Sequence, residues 1–354
     1  MADDVKPARW GVVATMDEPA VLIAAWAAHH LSIGAEEVHI CLDRPNPEAE
    51  ALLADLPGCH LHADGEDGWA TAWKQKRPIR HQARQKYNAS RILAETGLDW
   101  IVHCDADEYI HPLRSFGREL GMVPEVKAWL KLEVGERVYL DPAPGPDIFS
   151  GIFRLKWQDF DEEGAEVYGE ERAYLSKGLV GHAAGKPVVR SGHGYAIGVH
   201  FALRDYQATK LDLPYRSSYN AMLLHFDGLT PLHYMLKMLR RATTVVTGEK
   251  IPYVGARLAQ FQTMADKAGD AGAMRAFWWA CQGLRPDQVA GLDERHLLER
   301  VDHGIAATTR ARFGDRVDLS PAAFDRQLIA HEAALIEKAR VQLGFDITPF
   351  VAHV

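Results

Sequence analysis

Asp105, Asp107 and Glu108 fall within four positions, directly after the apolar run Leu98-Asp99-Trp100-Ile101-Val102-His103-Cys104. The run reads as a strand. Carboxylates gathered at the carboxyl end of a strand suit a hard divalent cation, Mg2+ or Mn2+, which prefers oxygen ligands and substrate phosphates. Three negative charges this close repel one another, so a cation is expected to compensate them. The same residues also read as an acidic turn whose carboxylate caps the helix that follows. Asp43 ends a second strand-like run, Val38-His39-Ile40-Cys41-Leu42. Between the two acidic strand ends lies a basic polar stretch, from about Lys74 to Glu95, that carries Lys74, Lys76, Arg77, Arg80, Arg84, Lys86 and Arg91. Its spacing predicts a helix whose cations suit a diphosphate, with a solvated charged face as the other reading. Simple solvation explains Gln82, Gln85, Tyr87 and Asn88 less well.

The elements that must position these residues alternate from the start. Trp10–Met16 is an apolar run of the kind buried on both faces of a parallel sheet. Asp17 and Pro19 suit the start of a helix that Gly34 stops. Asn46 opens a second helix through Leu53, and Cys59–His62 reads as a third strand. This β-α-β-α-β order is the opening of a doubly wound sheet. A further strand is expected over Val126–Val134. A loop with Asp141, Pro142, Pro144, Gly145 and Pro146 follows, and 147–205 reads as mixed β with many turns. Beyond Tyr215 helices are expected at about 230–247, 253–267, 271–282, 292–300 and 321–342. The simplest partition is a catalytic domain over 1–245 and a helical region over 246–354.

Composition narrows the classes. The chain has 354 residues, 40 Lys+Arg and 48 Asp+Glu, so its formal charge is −8. With 47% hydrophobic and 25% charged residues it is an ordinary globular composition, and disorder as the main state is excluded. The acidic balance argues against nucleic acid as a partner. Cys41, Cys59, Cys104 and Cys281 show no zinc spacing and read as reduced thiols. A polar N-terminus and no long apolar stretch point to a cytoplasmic protein. Peripheral membrane contact and self-association of the helical region stay open.

Four stretches together resemble a GT-A-fold glycosyltransferase of the family 2 type, in the bacterial branch with a D-x-D-E-[FY] motif. They are Met16-Asp17-Glu18-Pro19, then Trp26 with His29-His30 and Gly34. The third is Arg84-Gln85-Lys86-Tyr87-Asn88, and the last runs from Asp99-Trp100 to Asp105-Ala106-Asp107-Glu108-Tyr109. The likeness covers roughly 8–245. It implies an α/β, Rossmann-like fold with a mostly parallel sheet flanked by helices and a helical C-terminal extension. It also implies a nucleotide-sugar donor, UDP-linked, and Mn2+ or Mg2+ on Asp105 and Asp107. Thr15, Asp17 and Glu18 would lie near the nucleobase, Asp43 near the uridine or ribose, and Gln85 and Lys86 by the pyrophosphate or donor sugar.

The resemblance extends downstream. Members carry a Lys-x-x-x-Arg stretch and later histidines, matched here by Lys186 to Arg190, His193, His200 and His225. A late His commonly completes the metal site, and His225 matches that position best, with His200 behind it. Lys186, and Lys237 in the helix after Thr230-Pro231, would bind the donor. The base is expected among Asp159, Asp161 and Asp227, although the first two also read as an acidic surface turn. The expected reaction moves a sugar to an acceptor hydroxyl with inversion, the acceptor being a glycan, a lipid-linked or a small molecule. A metal-dependent nucleotidyl- or phosphotransferase is the nearest alternative, weakened because no G-x-x-x-x-G-K-[ST] occurs. A non-catalytic nucleotide-sugar-binding protein is the other.

Overall fold

The computed structural model describes residues 5–63, 69, 76–143, 145–246 and 254–352. Along the chain the elements are β1 (Trp10–Met16), α1 (Ala20–Ser32), β2 (Glu37–Leu42), α2 (Pro47–Leu53), β3 (Cys59–His62), α3 (His81–Glu95), β4 (Trp100–His103), β5 (Glu108–Pro112), α4 (Phe116–Gly121), β6 (Trp129–Val138), β7 (Ile152–Leu155), α5 (Phe160–Tyr168), β8 (Lys186–Arg190), β9 (Ala196–Ile197), β10 (Ala202–Leu203) and β11 (Tyr215–His225). They continue with α6 (Pro231–Val246), α7 (Gly255–Lys267), α8 (Ala271–Gln282), α9 (Pro286–Glu294), β12 (Leu298–Glu299), α10 (Ile305–Phe313), α11 (Pro321–His331) and α12 (Ala333–Leu343). The chain forms two compact units, each assembled from separated segments. The first comprises Met1–Val134, Ala184–Leu223 and Ala307–Val317, and the second Gly135–Ala183, Leu224–Ala306 and Asp318–Val354.

In the first unit β3, β2, β1 and β4 lie side by side and run parallel. Antiparallel β8 follows, and Trp129–Leu132 of β6 pair with it on its far side. The result is the expected α/β class: a mostly parallel sheet flanked by helices. Every residue of β1 is buried, as a central parallel strand requires. One sheet face, with Val13, Cys41, Ile101 and Val189, packs on Ala89, Ile92 and Leu93 of α3. Cys41 and Cys104 are buried and outside any disulfide, and burial pushes the Cys104 thiol well above its ordinary value.

The predicted basic helix is shorter than its composition suggested. It starts at His81, so Lys76 and Arg77 precede it, and Lys74 lies outside the described residues. Pro78 is the reason: it offers no N–H and pushes Arg77 out of the helical region.

In the second unit Gly135–Val138 of β6 pair with β7, and β7 pairs with β12. Three readings fail here. The mixed-β stretch contains a helix, α5, whose first turn holds Asp161, Glu162 and Glu163. Acids there favour the helix N-terminus through its dipole. The helix expected at 292–300 is instead α9 at Pro286–Glu294, opened by Pro286 with Gln288 reaching back to the Arg285 N–H. The long helix expected at 321–342 is broken into α11 and α12 at Glu332. Among the described residues no helix is long and apolar enough to cross a membrane.

Candidate functional site

In the first unit the carboxyl ends of β1, β2 and β4 bring the sequence-marked residues to one edge of the sheet. In an open α/β sheet that edge is where ligands bind. α3 presents a single buried face with two characters. Its later positions, Ala89, Ile92 and Leu93, are apolar, whereas its early positions, Arg84, Gln85 and Asn88, are polar. Helices between parallel strands start at the strands' carboxyl ends, so the polar half faces the acidic residues. Each early side chain meets a different strand end. Arg84 donates from both Nε and Nη2 to the Asp43 carboxylate after β2. Gln85 Nε2 donates to Asp105 Oδ1 after β4, at 2.5 Å. Asn88 Nδ2 donates to Thr15 Oγ1 in β1, at 2.9 Å.

Asp43 is heavily engaged. Arg77 Nη2 lies 2.6 Å from its Oδ1 and His81 Nδ1 3.4 Å from its Oδ2. Burial pushes this carboxyl up, but hydrogen bonds from His81 and Arg84 outweigh burial and hold it well below the usual range. The residue expected beside a ribose is thus bound to this cationic cluster. Asp17 accepts from Arg44 Nε at 2.5 Å, and Glu18 accepts from the Asp17 N–H. The Glu18 carbonyl accepts from Asn46, whose side chain also caps α2. Lys86 turns to the Tyr206 carbonyl and lies 4.2 Å from that ring's centroid.

The cation that compensates the acidic cluster comes from the chain itself. Lys186 Nζ, wholly buried, lies 2.7 Å from Asp105 Oδ2 and 3.0 Å from Glu108 Oε2. Antiparallel register explains its arrival: Val102 pairs with Val188, which brings the start of β8 to the end of β4. Glu108 also accepts from the Asp105 N–H at 2.7 Å. Burial lowers the Lys186 ammonium's proton affinity, but Asp105 and Glu108 raise it further, and the net direction is upward. The connection after β4 is pinned to α1. Trp26 Nε1 donates to the Glu108 carbonyl at 3.0 Å, and His29 Nε2 lies 2.7 Å from the Ile110 carbonyl. This is the role of the family-like Trp26 and His29.

For a hard cation the two aspartates differ in burial and in partners. Asp107 supplies a nearly buried carboxylate. Asp105 has one oxygen on Gln85 and the other on Lys186, so a cation reaches it by displacing those donors. His200 Nδ1 lies 3.0 Å from the Gly185 carbonyl, next to Lys186.

The sequence reading overlooked His103. It is fully buried, 4.0 Å from Asp105, and burial and then Lys186 push its imidazole down to about 4, so it is neutral at physiological pH. Its position just before Cys104-Asp105 was the available signal. Arg84 stood in a charge run, and nothing local distinguished it from its neighbours.

The remaining candidates lie in the second unit. Asp227 is buried, with Lys237 Nζ at 2.7 Å, Arg257 Nη1 at 3.7 Å and His225 Nε2 at 3.8 Å. Burial raises this carboxyl, but Lys237, then Arg257 and His225, pull it well below its ordinary range. A carboxylate held this way gathers cations and is a poor proton acceptor. His225 Nδ1 faces Glu136 Oε2 at 3.9 Å, and Glu136 is ion-paired to Arg154 at 2.6 Å. Asp159 and Asp161 are exposed at the start of α5, and Asp161 pairs with Lys177 at 3.0 Å.

Gly181 leaves no room for a side chain beside His225. A Cβ there would come within 2.6 Å of His225 Cε1 and 2.8 Å of Glu136 Oε2. Gly181→Ala is therefore expected to move the His225 ring and cost about 1–3 kcal/mol. Urea denaturation reads the cost, and the His225 imidazole resonances read the displacement. Unchanged stability with unchanged resonances would show that the contact is not as tight as drawn.

No protein-family model matches the chain. It is 26% identical over 106 residues to a glycosyltransferase-like protein of Arabidopsis thaliana, a match covering 25% of this chain and 24% of that one. The chain thus spans about a quarter of the length of the curated relative it matches. Among solved structures it is similar to glucosyl-3-phosphoglycerate synthase from Mycobacterium tuberculosis in complex with phosphoglyceric acid, with 12% identity, 77% of this chain and 80% of that chain covered, and a TM-score of 0.32. It is also similar to the WbbM bifunctional glycosyltransferase, with 12% identity, 53% and 32% covered, and a TM-score of 0.27.

Proposed function

We propose that this protein is a glycosyltransferase that moves a sugar from a nucleoside-diphosphate sugar, UDP-linked, to an acceptor hydroxyl with inversion. One observation carries the reading. At the carboxyl edge of the parallel sheet, Asp105 is held between Gln85 and Lys186, with Asp107 two residues on. Gln85 and Lys186 are donors of the kind a diphosphate accepts. The partial identity to a glycosyltransferase-like plant protein supports the same class.

In this reading Asp105 and Asp107 hold Mn2+ or Mg2+, with His225 as the further ligand proposed by resemblance. The ion, when bound, neutralises charge on the leaving diphosphate. Thr15, Asp17 and Glu18 border the base-binding end, and Asp43 fixes the arginines of the basic stretch there. Lys86 and Lys237 serve the anionic donor. The proton acceptor is drawn from the exposed Asp159 and Asp161, because Asp227 is buried and held well below its ordinary range by Lys237, Arg257 and His225.

The test is a thermal-shift and turnover screen of nucleotide sugars with and without Mn2+. Expected are Mn2+-dependent stabilisation by a UDP-sugar and slow release of free sugar from it, with no turnover of nucleoside triphosphates. Turnover of a nucleoside triphosphate in place of a sugar nucleotide would move the protein to the nucleotidyl- or phosphotransferases.

A further inference from the structure

The face that β6 and β11 share in the first unit carries groups that the donor site does not use. Trp129, Lys131 and Glu133 alternate along β6, and Tyr215, Ser217 and Tyr219 along β11, so each trio lies on one side of its strand. The two strands pair, and two contacts place the trios side by side. Tyr215 stacks on Trp129 at 4.6 Å between ring centroids, and Ser217 Oγ donates to Glu133 Oε1 at 3.2 Å. Trp129 is buried and its Nε1 donates to the Leu213 carbonyl at 3.2 Å, so it is the fixed base of the stack. Tyr215 is 48% exposed and Tyr219 is 59% exposed. Leu211, also exposed, lines a cavity of about 110 Å3 together with Lys131, Phe201 and Tyr215. Arg216 lies over the Tyr219 ring, 5.0 Å from its centroid. Large apolar groups left in water along one row mark a binding surface.

We propose, building on the glycosyltransferase reading, that this strip holds the acceptor and that the acceptor is a neutral oligosaccharide. Rings alternate here with a hydroxyl and charged groups. The C–H faces of sugar rings pack on tyrosine, and their hydroxyls exchange hydrogen bonds with Ser217, Lys131 and Glu133. Lys131 Nζ lies 2.9 Å from Glu133 Oε1, so the polar row neutralises itself and favours an uncharged chain over an anionic one. Tyr215 and Tyr219 are four residues apart on the strand, about 13 Å, a span that takes several linked sugars. The strip also leads to the donor site. Leu132, between Lys131 and Glu133, pairs with Lys186, so that end of the strip lies one strand from the residue that holds Asp105.

The experiment is an NMR titration of the full chain, in chelator and without donor, with hexasaccharides of glucose, galactose, mannose and N-acetylglucosamine. The expected result is saturable binding of at least one of them, with resonance shifts at Tyr215, Ser217 and Tyr219. Tyr215→Ala/Tyr219→Ala should weaken that binding about 10-fold or more. Tyr215→Phe/Tyr219→Phe should keep it within about threefold, because stacking needs the ring and not its hydroxyl. Circular dichroism checks folding, and Tyr219→Ala alone, which leaves the Trp129 stack in place, carries the test if the double variant unfolds. The titration uses neither metal nor nucleotide, so it is independent of the donor reading. Stabilisation by Mn2+ with UDP-sugar but no binding of any hexasaccharide would overturn the strip alone. Hexasaccharide binding with no turnover of any nucleotide sugar would keep the glycan site and overturn the transferase reading. Binding to phosphatidylglycerol vesicles that the alanine variant loses, with no hexasaccharide bound, would overturn the glycan in favour of a membrane surface.

Discussion

Lys186→Met is expected to lower stability by about 3–5 kcal/mol near pH 8, the cost of leaving buried carboxylates without their cation. The Glu108 carboxylate is sealed from solvent, and Lys186 is the ammonium that faces it, at 3.0 Å. Asp105, at 2.7 Å from the same nitrogen, is partly open and contributes less. The pH dependence distinguishes this from a simple packing defect. In the natural protein burial pushes Asp105 up while Lys186 pulls it down, and the net direction is downward. Its contribution is therefore full above the unfolded carboxylate value and is lost only as pH falls through the lowered folded value. Lys186, shifted upward, contributes fully below its unfolded value and loses that contribution only as pH rises through the higher folded one. Between about pH 5 and 8 both are constant. In the variant the sign reverses for Asp105, because without Lys186 burial and the Glu108 charge push it upward, so that it takes up a proton on folding. The deficit should shrink from about pH 8 to about pH 5. Urea titrations in chelator at the two pH values measure it, and a variant within about 1 kcal/mol of the parent at both would refute the pairing.

Asp107→Ala should reduce sugar-nucleotide turnover by about 10²–10³-fold, the scale on which charge stabilisation of a transition state is lost. The backbone around it is held by other groups: Trp26 binds the Glu108 carbonyl and His29 the Ile110 carbonyl. The fold should consequently survive, with an unchanged circular dichroism spectrum. Stabilisation by Mn2+ plus UDP-sugar should vanish together with turnover. A folded variant that still turns over the donor at the parental rate would remove Asp107 from the proposed site.

Much of the framework was legible from local pattern. Apolar runs bounded by Asp, Pro and Gly marked β1, β2, β3 and β4, and Asn46 marked the start of α2. The same local reading put acids at strand ends and predicted that a cation would compensate them. It overextended α3, because a charge run says nothing about Pro78 breaking the helix. It missed α5, because an acidic stretch reads equally as a turn or as a first helical turn.

The sequence by itself determined the strand–helix alternation and the chemistry available at the strand ends, since both depend on residues a few positions apart. The tertiary structure decided the partners. Lys186 reaches Asp105 across 81 residues because β8 runs antiparallel to β4 in one register. Arg84 reaches Asp43 because its position on α3 faces that strand end, and Arg77 joins it from before the helix. His103 becomes a neutral group in the site because it is sealed beside Lys186. Spacing encodes which way a side chain points on its own element, but which distant side chain it meets is set by strand pairing and burial.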